Sequence, residues 1–272
     1  MNEPIATSTP SVQHGAVFEP VTKGERISSV DVLRGVALLG ILLMNIVAFG
    51  LPYAYDNPTN SGGAEGPNLV VWITNNMFFE GTMRAIFSML FGAGVILLTS
   101  RAEARGAQAE IADIYYRRTL WLILFGLVHA YFFLWMGEIL FYYGVMGLLI
   151  YPFRKLKPRS LMIIGLLLLA SVVPQSIFGY VGMQEAELES REAQAARAAG
   201  ETLDREQEQA IEDWEDTLER AKPPQWKIDE VVEGFQGGYV SVLGQVAPKV
   251  AKWQSGGIYF WSPFDILSMM LI

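Results

Sequence analysis

The 272-residue chain contains no cysteine. That excludes a disulfide framework, a thiolate metal site and a cysteine nucleophile, and it leaves the redox compartment open. Histidine is nearly as scarce, His14 and His129 being the only imidazoles, and no metal site is expected. Nor is there a Walker loop, a GxGxxG after a strand, an HExxH or a GxSxG. Those absences argue against an ATPase, a dinucleotide enzyme, a zincin and a typical serine hydrolase. A basic excess is missing too: the formal net charge is -8, so no nucleic-acid partner is expected.

What the chain does have is apolar length. Hydrophobic residues make up 51% of it, and they come in blocks, so lipid is the solvent for most of the chain. Residues 30–49, VDVLRGVALLGILLMNIVAF, set the pattern. Asp31 and Arg34 stand one helical turn apart ahead of an apolar run interrupted only by Asn45. About 20 residues at helical rise cross a hydrocarbon layer of about 30 Å. The stretch therefore predicts a membrane-spanning helix with an acid–base pair at its mouth.

Further apolar blocks follow at residues 85–100, 119–135, 140–153 and 160–181. The expected fold is all-α, a polytopic transmembrane helical bundle with an extracytoplasmic helical excursion. Residues 69–79 are too short and polar to span with certainty and predict an interfacial or re-entrant helix. Gly92, Ala93 and Gly94 predict close approach of a neighbouring helix, and Pro174 predicts a kink. Lys and Arg cluster before the first block (Lys23, Arg26, Arg34), after the second (Arg101, Arg105, Arg117, Arg118) and after the fourth (Arg154, Lys155, Lys157, Arg159). By the positive-inside rule this alternation puts the N-terminus in the cytoplasm.

Four segments result. Residues 1–25 read as a flexible cytoplasmic tail that includes His14, 26–182 as a five-helix membrane domain, 183–257 as an acidic extracytoplasmic helical excursion, and 258–272 as the start of a sixth transmembrane helix in the front portion of a longer protein. Residues 183–222 hold 13 acids and 5 bases, which accounts for the whole net charge. The excursion reads as a charged helix broken near Gly200 and stopped by Pro223 and Pro224, with Ile211, Trp214 and Leu218 as one narrow apolar stripe.

Ionisable and amide side chains at membrane depth are costly and so are functional candidates. Helical rise places Asn45 about 16 Å from Arg34, and His129 about 16 Å from Arg118. With Glu80, Arg84 and Glu138 they form an expected outer cluster suited to acyl transfer. The imidazole would serve as base or acyl carrier, a carboxylate would fix its tautomer, and Arg or Asn would stabilise an oxyanion. Structural alternatives stand beside this: a Glu138–Arg84 salt bridge fixing helix ends, and Asn45 as an interhelical hydrogen-bonding residue. On the inner side Arg34, Arg117 and Arg118, with Arg101 nearby, could dock the phosphates of acyl-CoA; topology and anionic headgroups would equally account for them. Asp31 is expected to pair with Arg34.

The segments SVDVLRGVALLGILLMNI (29–46), FFEGTMRAIFSMLFGAGV (78–95) and YYRRTLWLILFGLVHAYFFLWMGEILFYYGVMGL (115–148) resemble the YeiB-like family of bacterial membrane proteins. The resemblance covers roughly residues 26–170. It implies a multi-pass protein of the bacterial inner membrane. The opening D-x-x-R-G is more distantly similar to transmembrane acyltransferases of the heparan glucosaminide acetyltransferase type. That similarity implies transfer from cytosolic acyl-CoA to an extracytoplasmic sugar or lipid acceptor. Those relatives carry a catalytic histidine after the first helix, whereas His129 lies in the third block; the family's G-D-I-L turn is Gly137-Glu138-Ile139-Leu140 here. A transporter using the same polar groups as a substrate or proton path, and a structural membrane partner, remain as alternatives. The lipid bilayer is the expected partner, and self-association into a homo-oligomer stays open.

Overall fold

The computed structural model describes residues 27–51, 57–104, 106 and 110–272. The expected tail with His14, Lys23 and Arg26 lies outside the described residues, as does Arg105. The described chain is all-α, with no strand among the described residues. Three stretches, Ser28–Asn45, Gly66–Ala104 and Pro158–Ala198, are long and apolar enough to cross a membrane.

Helix α1 (Ser28–Asn45) begins with Asp31 in its first turn, where a carboxylate complements the helix dipole. It buries Ala37, Gly40 and Met44 and exposes Val36, Leu39 and Leu42. Exposure of large aliphatic side chains on this scale suits lipid rather than water. Helix α2 (Gly66–Phe78) is the short element expected between the first two apolar blocks. Gly81, at φ +70°, turns the chain into α3 (Thr82–Ala104). Gly40 of α1 packs against the side chains of Met83 and Phe79, which closes α1 onto the start of α3.

Helices α4 (Glu110–Tyr131) and α5 (Leu140–Ile150) pair tightly because glycines stand at their contact. Gly126 meets the backbone of Phe141, and Gly144 meets Ile123. Small residues allow such approach where lipid tails offer no hydrophobic drive. At 11 residues, α5 rises about 16 Å. The expected fourth span is thus a helix of half the hydrocarbon thickness, followed by the 3-10 turn Tyr151–Lys155.

Helix α6 (Pro158–Ala170) breaks at Ser171 and resumes as α7 (Val172–Ala198). The break has a cause in the sequence: Pro174 has no N–H for the carbonyl four residues earlier. Helix α7 then runs on without interruption into the acidic segment. There α8 (Arg205–Ala221) folds back along it, its start fixed by a capping box between Asp204 and Gln207. Ile211 is buried against this hairpin while Leu218 is 52% exposed. The expected apolar stripe therefore ends one turn early, because the tip of α8 turns to the loop after α1: Asn57 Nδ2 donates to the Ala221 carbonyl at 2.9 Å.

Helix α9 (Gln225–Gln236) leads to α10 (Tyr239–Phe260). Val246 and Val250 of α10 are buried with Ala130, so the chain rejoins the bundle well before the expected boundary at residue 258. A π-helical turn, Pro263–Leu267, and α11 (Ser268–Leu271) follow. Ile266, Met270 and Leu271 are buried with Tyr143, Met146 and Ile150. These last residues are the centre of the main core.

Candidate functional site

Helix α3 carries a guanidinium near each end, Arg84 and Arg101, about 25 Å apart by helical rise. The two ends are built differently.

At the Arg84 end the charges are compensated. Arg84 Nε donates to Asp265 Oδ2 at 2.8 Å, a second nitrogen lies 3.7 Å from Glu80, and the guanidinium sits 5.1 Å from the ring of Trp261. Below it the Ser88 hydroxyl lies 2.6 Å from the Tyr143 hydroxyl, and both reach the Arg84 carbonyl. Asn45, Glu80, Arg84 and Gly137 line a small pocket of about 60 Å³. Three of the five residues expected in the outer cluster are thus brought together.

The other two are placed apart from that pocket. Glu138, in the connection between α4 and α5, is 4% exposed and turns its carboxylate to the start of α5. It accepts hydrogen bonds from the backbone N–H groups of Leu140 and of Phe141, the latter at 3.1 Å. Two orphan N–H groups of α5 are satisfied in this way. Burial pushes the carboxyl above the ordinary carboxylate range, and those two hydrogen bonds oppose the shift. The expected Glu138–Arg84 bridge does not form, because each group is taken by a nearer partner. His129, on α4, is half-buried with its ring centroid 6.2 Å from that of Phe133, and it does not line the Asn45 pocket. Just beyond it, Leu134 takes a left-handed backbone (φ +57°), a strained conformation for a branched residue.

At the Arg101 end there is space. A groove of about 890 Å³ is walled by α1, α3 and α4, with Asp31, Arg34, Arg101 and Arg118 at its charged end. Three guanidinium groups against one carboxylate make that end net positive. Asp31 pairs with Arg34 at 3.2 Å. Arg117 does not join them; it turns outward to Asp113 at 2.8 Å and is 66% exposed. Arg118 has no ion pair among the described residues and lines the groove. Consecutive helical residues point about 100° apart, so only one of the two could face it.

The glycine run of α3 also divides. Gly92 packs against the backbone of Met270 in α11, as close approach requires, whereas nothing lies within 4 Å of a side chain begun at Gly94, which opens into the groove. Ala93 is exposed. Asp265 and Trp261, which complete the Arg84 cluster, were not among the expected site residues. The available signal was the one carboxylate in the apolar run DILSMMLI, a placement that calls for a partner. Among the described residues no cluster of three or more metal-ligating side chains is present.

Fold and site together define an all-α protein of membrane type, with a compensated charge cluster at one end of α3 and an open cationic groove at the other. The sequence is similar to three curated proteins. The uncharacterized protein YxaH of Bacillus subtilis (strain 168) is 35% identical over 165 residues, covering 57% of this chain and 40% of the relative. An uncharacterized 39.9 kDa protein from the amylase 3' region of Bacillus acidopullulyticus is 38% identical over 163 residues, covering 59% and 44%. The uncharacterized protein YeiB of Escherichia coli (strain K12) is 38% identical over 147 residues, covering 53% and 36%. These similarities support a YeiB-like family, and the chain spans less than half the length of the curated relatives it matches. No family model and no solved structure matches the chain.

Proposed function

We propose that this protein transfers an acyl group from acyl-CoA to a sugar or lipid acceptor, with the donor's phosphates held by Arg34, Arg101 and Arg118. The observation that carries the reading is the groove, which joins a net positive end to an apolar interior of about 890 Å³. Guanidinium forks match phosphate oxygens, and a cavity toward the upper end of roughly 300–1,000 Å³ suits a sizeable organic ligand. Loop charge puts this end in the cytoplasm of a bacterial inner-membrane protein, where acyl-CoA is supplied. In the reaction the acceptor oxygen bonds to the acyl carbonyl carbon, the carbon–sulfur bond breaks, and the hydroxyl proton ends on the thiol of coenzyme A. No step is routed through His129, which lies on neither cavity wall.

The test uses the full-length protein in liposomes supplied with radiolabelled acyl-CoA of several chain lengths. The expected result is label on the protein or on a sugar or lipid acceptor, falling at least tenfold when Arg34 and Arg118 are both changed to Gln. Absence of label at every chain length overturns the reading. It would favour a second one, export of a charged substrate, which draws on the Arg84–Asp265–Glu80 cluster. Partly buried charges of that kind also line transport paths.

A further inference from the structure

The wall of the groove is more informative than its mouth. Phe87, Leu90, Phe91, Gly94 and Leu98 repeat at helical spacing along one face of α3 and are faced by Leu122 of α4. The hydroxyls among the lining residues are already engaged: Tyr115 donates to the Gly147 carbonyl at 2.6 Å and Thr119 to the Tyr115 carbonyl at 2.8 Å. An arm bearing amides would be buried there with few partners, at a cost of kcal/mol order per group. An aliphatic chain would not. From Arg101 to Phe87 the wall is about 21 Å long, more than the roughly 15 Å that one lipid chain spans as half of the hydrocarbon core.

We infer that the groove between α1, α3 and α4 binds a long-chain fatty acyl-CoA tail first, with its aliphatic chain along Phe87–Leu98 in the space left open by Gly94 and its phosphates at Arg34, Arg101 and Arg118. Charge complementarity selects this occupant: the mouth carries three guanidinium groups against the single carboxylate of Asp31, and the phosphates of coenzyme A supply the opposing charge. The inference rests on the acyl-transfer reading and names its substrate class. It also adds a consequence. A donor bound tail first holds its thioester level with the guanidinium groups, so transfer takes place at this end of the bundle. Gly94 is then the specificity-determining position. A side chain there meets no protein atom, so it would fill the groove without disturbing the fold.

The experiment is photolabelling of the full-length protein in nanodiscs of phosphatidylcholine and phosphatidylglycerol, using palmitoyl-CoA with a diazirine near the end of its chain. Peptide mapping should place the label within residues 87–98 or on Leu122. Because each methylene taken out of water is worth roughly fourfold in binding, palmitoyl-CoA should compete at least 100-fold better than acetyl-CoA or free coenzyme A. Gly94→Leu should cut labelling at least tenfold with thermal stability unchanged. Arg118→Gln should weaken competition about tenfold, as expected for one charge-assisted hydrogen bond. Label that palmitoyl-CoA does not displace would assign the groove to bilayer lipid and overturn the inference. So would label outside the groove, which would mean that further residues of the full-length chain cover it, and so would equal competition by acetyl-CoA. This readout is binding, so it fails or succeeds separately from acyl transfer. Transfer from acetyl-CoA as good as from palmitoyl-CoA would leave the broader reading standing and remove this one.

Discussion

Two arginine sites on one helix show how the surroundings of a charge decide what it can do. Arg84 is held by Asp265, Glu80 and Trp261 beside a pocket of about 60 Å³. Arg118, with Arg101 nearby, faces about 890 Å³ and has no ion pair of its own among the described residues. A charge whose partners are built in stabilises the fold, and removing a partner exposes its desolvation cost. A charge without partners is available to a ligand. The same contrast runs through the glycines, since Gly92 is covered by Met270 and Gly94 by nothing.

The largest effect that would break this comparison is at the glycines. Gly92→Leu must displace the backbone of α11 and is expected to cost about 3 kcal/mol or more. Gly94→Leu should be neutral or slightly stabilising, since leucine is the better helix former by about 0.5–1 kcal/mol. Thermal unfolding of the two variants in one detergent decides it, and equal losses would mean that the groove is filled in solution. Next comes Asp265→Ala. About a quarter of each side chain in the Arg84–Asp265 pair stays exposed, 27% and 24%. The expected loss is therefore about 2 kcal/mol, below the roughly 3–5 kcal/mol of a fully buried pair. Asp265→Asn, which keeps a hydrogen-bond acceptor, should lose less.

Glu138→Ala removes the cap of α5 and should cost about 1 kcal/mol. Here the sign of the pH dependence is informative. The folded carboxyl titrates above its unfolded value, so the fold binds the proton more tightly than the unfolded chain does. That contribution is complete below the unfolded value and is lost as pH rises through the folded one. Stability of the wild type should fall across that window relative to Glu138→Gln, and parallel pH profiles would assign the carboxyl an ordinary environment. The smallest effect sharpens the contrast between neighbours: Arg117→Gln gives up one exposed pair with Asp113, worth at most about 0.5 kcal/mol. It should leave acyl-CoA competition unchanged where Arg118→Gln weakens it.

Much of the fold was legible because its causes are local. Apolar block length, the glycine and proline breaks at Gly81 and Pro174, and the Asp204–Gln207 cap each act within a few residues. Less of the site could be read, because its pairings are long-range: Arg84 and Asp265 are 181 positions apart. Sequence order suggested Glu138 as a partner for His129 or Arg84, and burial at the start of α5 claimed its carboxylate instead. Loop charge singled out Arg117 and Arg118 together, and only the rotation of α4 separates them.

The sequence by itself determined that this is an all-helical protein with stretches that suit lipid, since hydrophobic length is a property of consecutive residues. The tertiary structure alone decided which charges are compensated, which glycine is covered and where a groove remains open. Those outcomes depend on which surfaces meet when α1, α3, α4 and the segment 261–272 pack, and no stretch of sequence contains that information in isolation.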